Sequence, residues 1–197
     1  PGSSLYRRAS AWCQEAAQIE EAVHYALAAG DVERVAQLVE GSAFSLLEYG
    51  ELGTLLGWLD ALPRQAVAAR PWLGIAYAWA LVYAGQTERA GPLLENAETG
   101  LPALTPADAR DALGHIAAIR SYGMWQDGDH PGAAEYARQA LELLSDKHAV
   151  ARCFAALALG SSLVESGHLS AAEHALTQAL EAGQAAGDTH IPRLAAS

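Results

Sequence analysis

The sequence predicts an all-α fold: a right-handed superhelix of antiparallel helix pairs, that is, a tetratricopeptide-like α-solenoid. Three observations lead there. Ala, Leu and Glu, all strong helix formers, dominate the chain, and no run of Val and Ile alternates as a strand would. A spacing of small residues recurs behind three glycines. Six of the eight prolines fall where helices start or between them.

The recurring spacing is clearest in AGQTERAGPLLENA (84–97), GDHPGAAEYARQA (128–140) and GHLSAAEHALTQA (167–179). Counting from Gly85, Gly128 and Gly167, position +5 holds Ala90, Ala133 and Ala172. Position +9 holds Leu94, Ala137 and Leu176, and position +12 holds Ala97, Ala140 and Ala179. Gly30 gives a weaker echo. Gly ends one helix and lets the chain reverse. Steps of 4 and 3 then place small residues on one face of the next helix, so the pair packs closely. The glycines are 43 and 39 residues apart, longer than the ~34 of a regular tetratricopeptide unit. Such units bury their apolar faces only by stacking.

In chain order the pattern predicts helices over 3–15, 18–29, 31–48, 51–61, a short one over 64–69, then 72–84, 87–99, 106–126, 130–144, 147–165, 169–186 and 188–196. Pro63, Pro71, Pro102, Pro106, Pro131 and Pro192 sit at predicted starts or between helices, where proline is tolerated. The stretch GLPALTP (100–106) reads as a loop. We expect one helical-repeat domain over 1–197, with atypical first repeats in 1–70 and three tetratricopeptide-like repeats in 71–197.

Composition excludes several functions. The net charge is −11, with 23 acidic residues against 12 basic ones, of which Lys147 is the only lysine. A surface this acidic repels phosphate backbones, so no direct nucleic-acid contact is expected. No apolar run of about 18 residues crosses a membrane, and the N-terminal stretch lacks a signal-peptide layout; a cytoplasmic location is expected. Cys13 and Cys153 lie in apolar helical stretches and read as buried thiols. HExxH, CxxC and GxSxG motifs are absent, and the histidines are scattered, so neither a metal site nor an enzyme is expected.

LYRRASAWCQEAAQIEEAVHYALAAGDVERVAQLVE (5–40) carries a more specific signal. Arg8, Ala9, Trp12, Glu21, Ala22, His24, Ala26, Ala29, Gly30 and Asp31 resemble the junction in large LuxR-type, MalT-like transcriptional regulators. In that family a nucleotide-binding switch passes into a helical sensor. LLEYGELGTLLGWLDALP and RPWLGIAYAWALVYAGQTERA also resemble that sensor. The resemblance implies a fragment of a larger regulator, in which inducer binding is passed to an ATPase switch and a DNA-binding domain outside this chain. It implies a small-molecule inducer, such as an oligosaccharide, or a regulatory protein as partner, and self-association in the full-length protein. No GxxxxGK[ST] is present, so no cofactor is expected here, and ATP belongs to the absent ATPase module. LTPADARDALGHIAAIRSY (104–122) opens like a LuxR-type DNA-binding segment but lacks its turn and basic recognition helix, and reads as a repeat helix.

A tetratricopeptide frame points certain positions of each first helix toward a groove. Applied here it gives Trp72, Trp79, Tyr83, His115, Tyr122, Trp125, Gln126, Phe154 and Glu165 as candidate ligand-binding residues. Aromatic faces stack on sugar rings and planar ligands, and the polar members would fix orientation. The same spacing equally fits aromatics that pack against the next repeat. A stand-alone tetratricopeptide-like scaffold for protein–protein interaction is the alternative function.

Overall fold

A computed structural model of the protein describes residues 2–185. Eleven α-helices occupy them, and no strand occurs among the described residues. The helix expected over 188–196 lies outside the described residues. The chain forms two compact units that divide between Gly100 and Leu101, inside the GLPALTP stretch.

The first unit contains α1 (Gly2–Glu15), α2 (Ile19–Ala28), α3 (Val32–Glu48), α4 (Leu52–Asp60), α5 (Arg64–Ala68), α6 (Pro71–Tyr83) and α7 (Gly91–Gly100). Helices α1, α2 and α3 pack in succession, and α3 and α6 share a core with the short α4 and α5. Val23, Val35, Val39, Leu55, Leu59, Leu73, Ile75 and Leu81 are fully buried there. Buried Ser10 ties α1 to α2 by donating its hydroxyl to the Ala22 carbonyl at 2.8 Å. Arg70 joins α3 from outside, bonding Glu33 and, at 2.6 Å, Glu40.

The second unit contains α8 (Pro106–Gln126), α9 (His130–Leu143), α10 (Ala149–Glu165) and α11 (Leu169–Ala185). Two hairpins, α8–α9 and α10–α11, are joined where α10 lies against both α8 and α9. Ile116 and Ile119 of α8 and Cys153 of α10 are fully buried; Cys13 is likewise buried in the first unit.

Helix-pair closure follows the sequence spacing. Ala90, Leu94, Ala97, Ala133, Ala137, Ala140, Ala172 and Ala179 are all buried, while Leu176 is half-buried. Small residues on the first helix answer them. A methyl added at Gly160 would lie 2.6 Å from Leu176 Cγ, and one at Gly114 equally close to Leu144 Cγ. The reversals share one design. Gly85 has φ +69°, its amide donates to Val82 and the Gln86 amide donates to Leu81, which satisfies the last carbonyls of α6. The end of α1 uses the same bonds with Ala17 in the glycine position, at φ +57°. Asp31 and Asp129 then cap the following helices, accepting from the amides of Arg34 and Gly132.

One predicted helix is broken. In place of a continuous helix over 87–99, a 3₁₀ turn (Thr87–Arg89) precedes α7. Pro92 is the cause: it has no N–H, and its ring clashes with a helical carbonyl four residues earlier, at Glu88. A second 3₁₀ turn (Asp146–His148) precedes α10, and a third (Leu101–Ala103) lies within GLPALTP. Among the described residues no helix is long and apolar enough to cross a membrane.

Candidate functional site

The nine candidate groove residues meet different surroundings. In the first unit Trp72 is half-buried and meets Phe44 edge-on, with ring centres 5.9 Å apart. Trp79 is 2% exposed, and half-buried Tyr83 lies beside it at 6.5 Å. In the second unit Tyr122 packs edge-on against Phe154 at 5.1 Å and beside Trp125 at 5.5 Å. Tyr122 and Phe154 are buried, Trp125 is half-buried, and Gln126 and Glu165 are exposed. His115 is buried at 5% exposure. The rings of Trp79, Tyr122 and Phe154 and the imidazole of His115 are therefore covered by protein, and no free face of theirs lines a groove. The half-buried and exposed members are Trp72, Tyr83, Trp125, Gln126 and Glu165.

His115 belongs to a polar cluster instead. Asp111 and His115 are one helical turn apart on α8, so they share a face. The turn before α10 brings Lys147 and His148 onto that face. Lys147 Nζ lies 2.6 Å from Asp111 Oδ2, and His148 Nε2 lies 3.1 Å from the same oxygen. The His148 contact is close enough for ionic attraction but off the line of an N–H bond, since Nε2 makes no hydrogen bond. His148 Nδ1 and His115 Nε2 share a hydrogen bond of 3.0 Å, in which one ring donates and the other accepts. Burial holds the His115 imidazole neutral and depresses its pKa to about 3. The electrostatic influence of His148 adds to this, and Asp111 opposes it. Asp111 lies below the usual carboxylate range: burial raises it, but the bond from Lys147 and the attraction of His148 prevail. The cluster clamps the α9–α10 connection to α8. Among the described residues no group of three or more His, Cys, Asp or Glu is placed to hold a metal ion.

The sequence reading missed an opening in the first unit. A cleft of 490 Å³ lies among the end of α4, α5, the middle of α6, the 3₁₀ turn and α7. Its apolar lining comes from half-buried Leu93 and from the buried Leu59, Leu62, Val67 and Leu81. Its polar groups are Asp60, Arg64, Tyr77, Glu88, Arg89 and Asn96. The Tyr77 hydroxyl donates to Asp60 Oδ1. Burial first, and then Asp60, push the Tyr77 phenol up, while Arg89 beside it pulls the other way. The phenol therefore stays protonated. Arg89 also donates to the side-chain oxygen of Gln86. The volume falls in the range of small-molecule sites, ~300–1,000 Å³. A smaller cleft of 260 Å³ in the second unit is lined by residues of α9, α10 and α11 together with Asp146. Arg152 stands in it and donates to the carbonyls of Leu141 and Leu144, satisfying the end of α9.

A signal for the His cluster was present in the sequence, in the four-residue step from Asp111 to His115. The cleft left no such signal: it opens beside the Gly85 hairpin, where the short α4 and α5 lie against α6.

No family model matches the sequence. The chain is similar to the serine/threonine-protein kinase PknK of Mycobacterium tuberculosis, at 38% identity over 125 residues, covering 59% of this chain and 11% of that protein. It is also similar to the HTH-type transcriptional regulator MalT of Cronobacter sakazakii, at 33% identity over 125 residues, covering 63% of this chain and 13% of that protein. The chain thus spans little more than a tenth of the length of either relative. Among solved structures it resembles the MamA RS-1 ArsTM double mutant, with a TM-score of 0.57 at 18% identity, covering 93% of this chain and 96% of that one. The chain is therefore an all-α protein of helical-repeat type, partly homologous to a MalT regulator.

Proposed function

We propose that this chain is the sensing segment of a LuxR-type, MalT-like transcriptional regulator. It takes up an inducer or a regulatory protein and passes occupancy to an ATPase switch and a DNA-binding domain elsewhere in the full-length protein. The observation that carries this is the 33% identity to a MalT regulator over 63% of the chain, which is folded as helical hairpins. The similarity to a protein kinase adds support. What a kinase and a DNA-binding regulator have in common is expected to be neither phosphoryl transfer nor promoter contact, but a module that serves both. An acidic chain with a net charge of −11 suits that role and not DNA binding. In this reading the chain performs no catalysis, carries no cofactor and works in the cytoplasm. Its ligand shifts the regulator only by binding one state more tightly than the other.

The test is a comparison of the full-length regulator with a version lacking residues 2–185, using ATP binding and inducer-dependent transcription in vitro as readouts. Loss of the inducer response with ATP binding retained is the expected result. A response that survives the deletion refutes the sensing role.

The second reading is a stand-alone tetratricopeptide-like scaffold, favoured by the fold likeness to MamA over nearly the whole of both chains. It expects saturable binding of an extended or helical peptide and indifference to small molecules.

A further inference from the structure

We propose that the cleft between α4–α5 and α6–α7 binds a small amphipathic monocarboxylate, its apolar body against the leucine lining and its carboxylate between Arg64 and Arg89. The proposal names a ligand class for the sensing segment, and its biological meaning rests on that reading.

The cleft holds two arginines without ion-pair partners beside a partly apolar lining. The chain is strongly acidic, and several of its arginines are paired with its own carboxylates: Arg7 with Asp31, Arg70 with Glu33 and Glu40, Arg152 with Asp146. At the cleft the pattern reverses. Arg64 makes no ion pair or hydrogen bond among the described residues, and the partners of Arg89 are the neutral Gln86 and Tyr77 side chains. Asp60 and Glu88 share the lining, and neither forms an ion pair with Arg64 or Arg89 among the described residues. Two guanidinium groups thus face one opening with no internal anion bound to either. Guanidinium groups match carboxylates in shape and bond them in pairs.

The other groups narrow the class. Glu88 shares the rim, and Asp60 keeps its negative charge while accepting from Tyr77, so a dianion such as a phosphate monoester meets repulsion that a monoanion largely escapes. A neutral sugar would want facing aromatic platforms, and Tyr77 is the only aromatic ring in the lining. Half-buried Leu93 offers apolar surface beside the buried Leu59 and Leu81. A compact apolar body with one carboxylate satisfies both the apolar lining and the arginines.

The test uses three probes alike in body and different in head group: 3-phenylpropionate, 3-phenylpropanol and 3-phenylpropylammonium. Each is titrated into the isotope-labelled chain while amide NMR signals from α4 to α7 are followed. The expected result is saturable shifts around Tyr77, Leu81 and Leu93 with the carboxylate, and affinity at least about tenfold weaker for the alcohol and the ammonium. Arg64→Gln and Arg89→Gln, both exposed positions, each weaken the carboxylate by about tenfold with the spectrum otherwise intact. Glu88→Gln binds it equally or more tightly. Absence of saturable shifts, equal binding of the alcohol, or arginine variants that bind unchanged would overturn the proposal. These outcomes are read on the chain alone, so failure here leaves the deletion test of the sensing role standing as a separate question.

Discussion

The buried imidazole of His115 makes the second unit acid-sensitive, and the size of the effect follows from its surroundings. Its pKa falls from 6.5 to about 3, mainly through burial, then through the electrostatic influence of His148; Asp111 pulls it upward and Lys147 downward. The unfolded chain takes a proton on His115 below about 6.5, while the folded chain refuses one until about 3. Between those limits the unfolded state holds more protons, so stability falls as pH falls, by roughly 1.4 kcal/mol per pH unit. Above 6.5 the group contributes no pH dependence, and by pH 3 the accumulated loss is about 5 kcal/mol. From pH 6.5 to 4.5 the loss is about 3 kcal/mol. That interval stays above the ordinary carboxylate value of 3.8, so the depressed pKa of Asp111 adds its own loss only at lower pH. The assay has two parts. The His115 ring signal in NMR should not titrate between pH 7 and 4. Urea unfolding of the second unit, followed at Ile116 and Ile119, should lose about 3 kcal/mol more in the native chain than in His115→Gln over that interval. A ring that titrates near 6.5, or equal acid sensitivity in both proteins, refutes the reasoning.

Other substitutions probe the hairpins, with thermal or urea unfolding as the common measurement. Ala17 occupies a left-handed position at φ +57°, so Ala17→Gly should stabilise the first unit by about 1 kcal/mol, and Gly85→Ala should cost about as much. Gly160→Ala forces a methyl to within 2.6 Å of Leu176 Cγ and 3.3 Å of the Leu176 backbone nitrogen, a cost of about 1–3 kcal/mol. Gly41→Ala in α3 meets no atom within 4 Å and should stabilise by about 0.5–1 kcal/mol, which separates crowding from helix propensity. Arg70→Gln removes two partly exposed ion pairs and should cost no more than about 1 kcal/mol, an effect that shrinks in high salt.

Most of the helical architecture was legible because its causes are local. A glycine at five of the reversals, an aspartate cap and a 4–3 step of small residues are written within about fifteen residues of one another, and most helix boundaries fall within one or two residues of the expected positions. The break before α7 was equally local, but a proline two residues into a helix and one inside it look alike until the start is known. Burial of the aromatics is a different matter. Tyr122 and Phe154 lie on positions that a regular repeat would turn toward a groove, yet they meet each other edge-on, because the decision is made by which helices pack together. The cleft is the sharper case. Regular hairpins fill their own space: Gly160 sits against Leu176, and Gly114 against Leu144. Where α4 has nine residues and α5 only five, the partner helices are too short to cover the flank of α6, and Pro92 delays the start of α7 on the other side. The opening between them is what that incomplete coverage leaves. Periodicity locates the parts of this chain that pack, and it is therefore silent about the interruption where a ligand has room to enter.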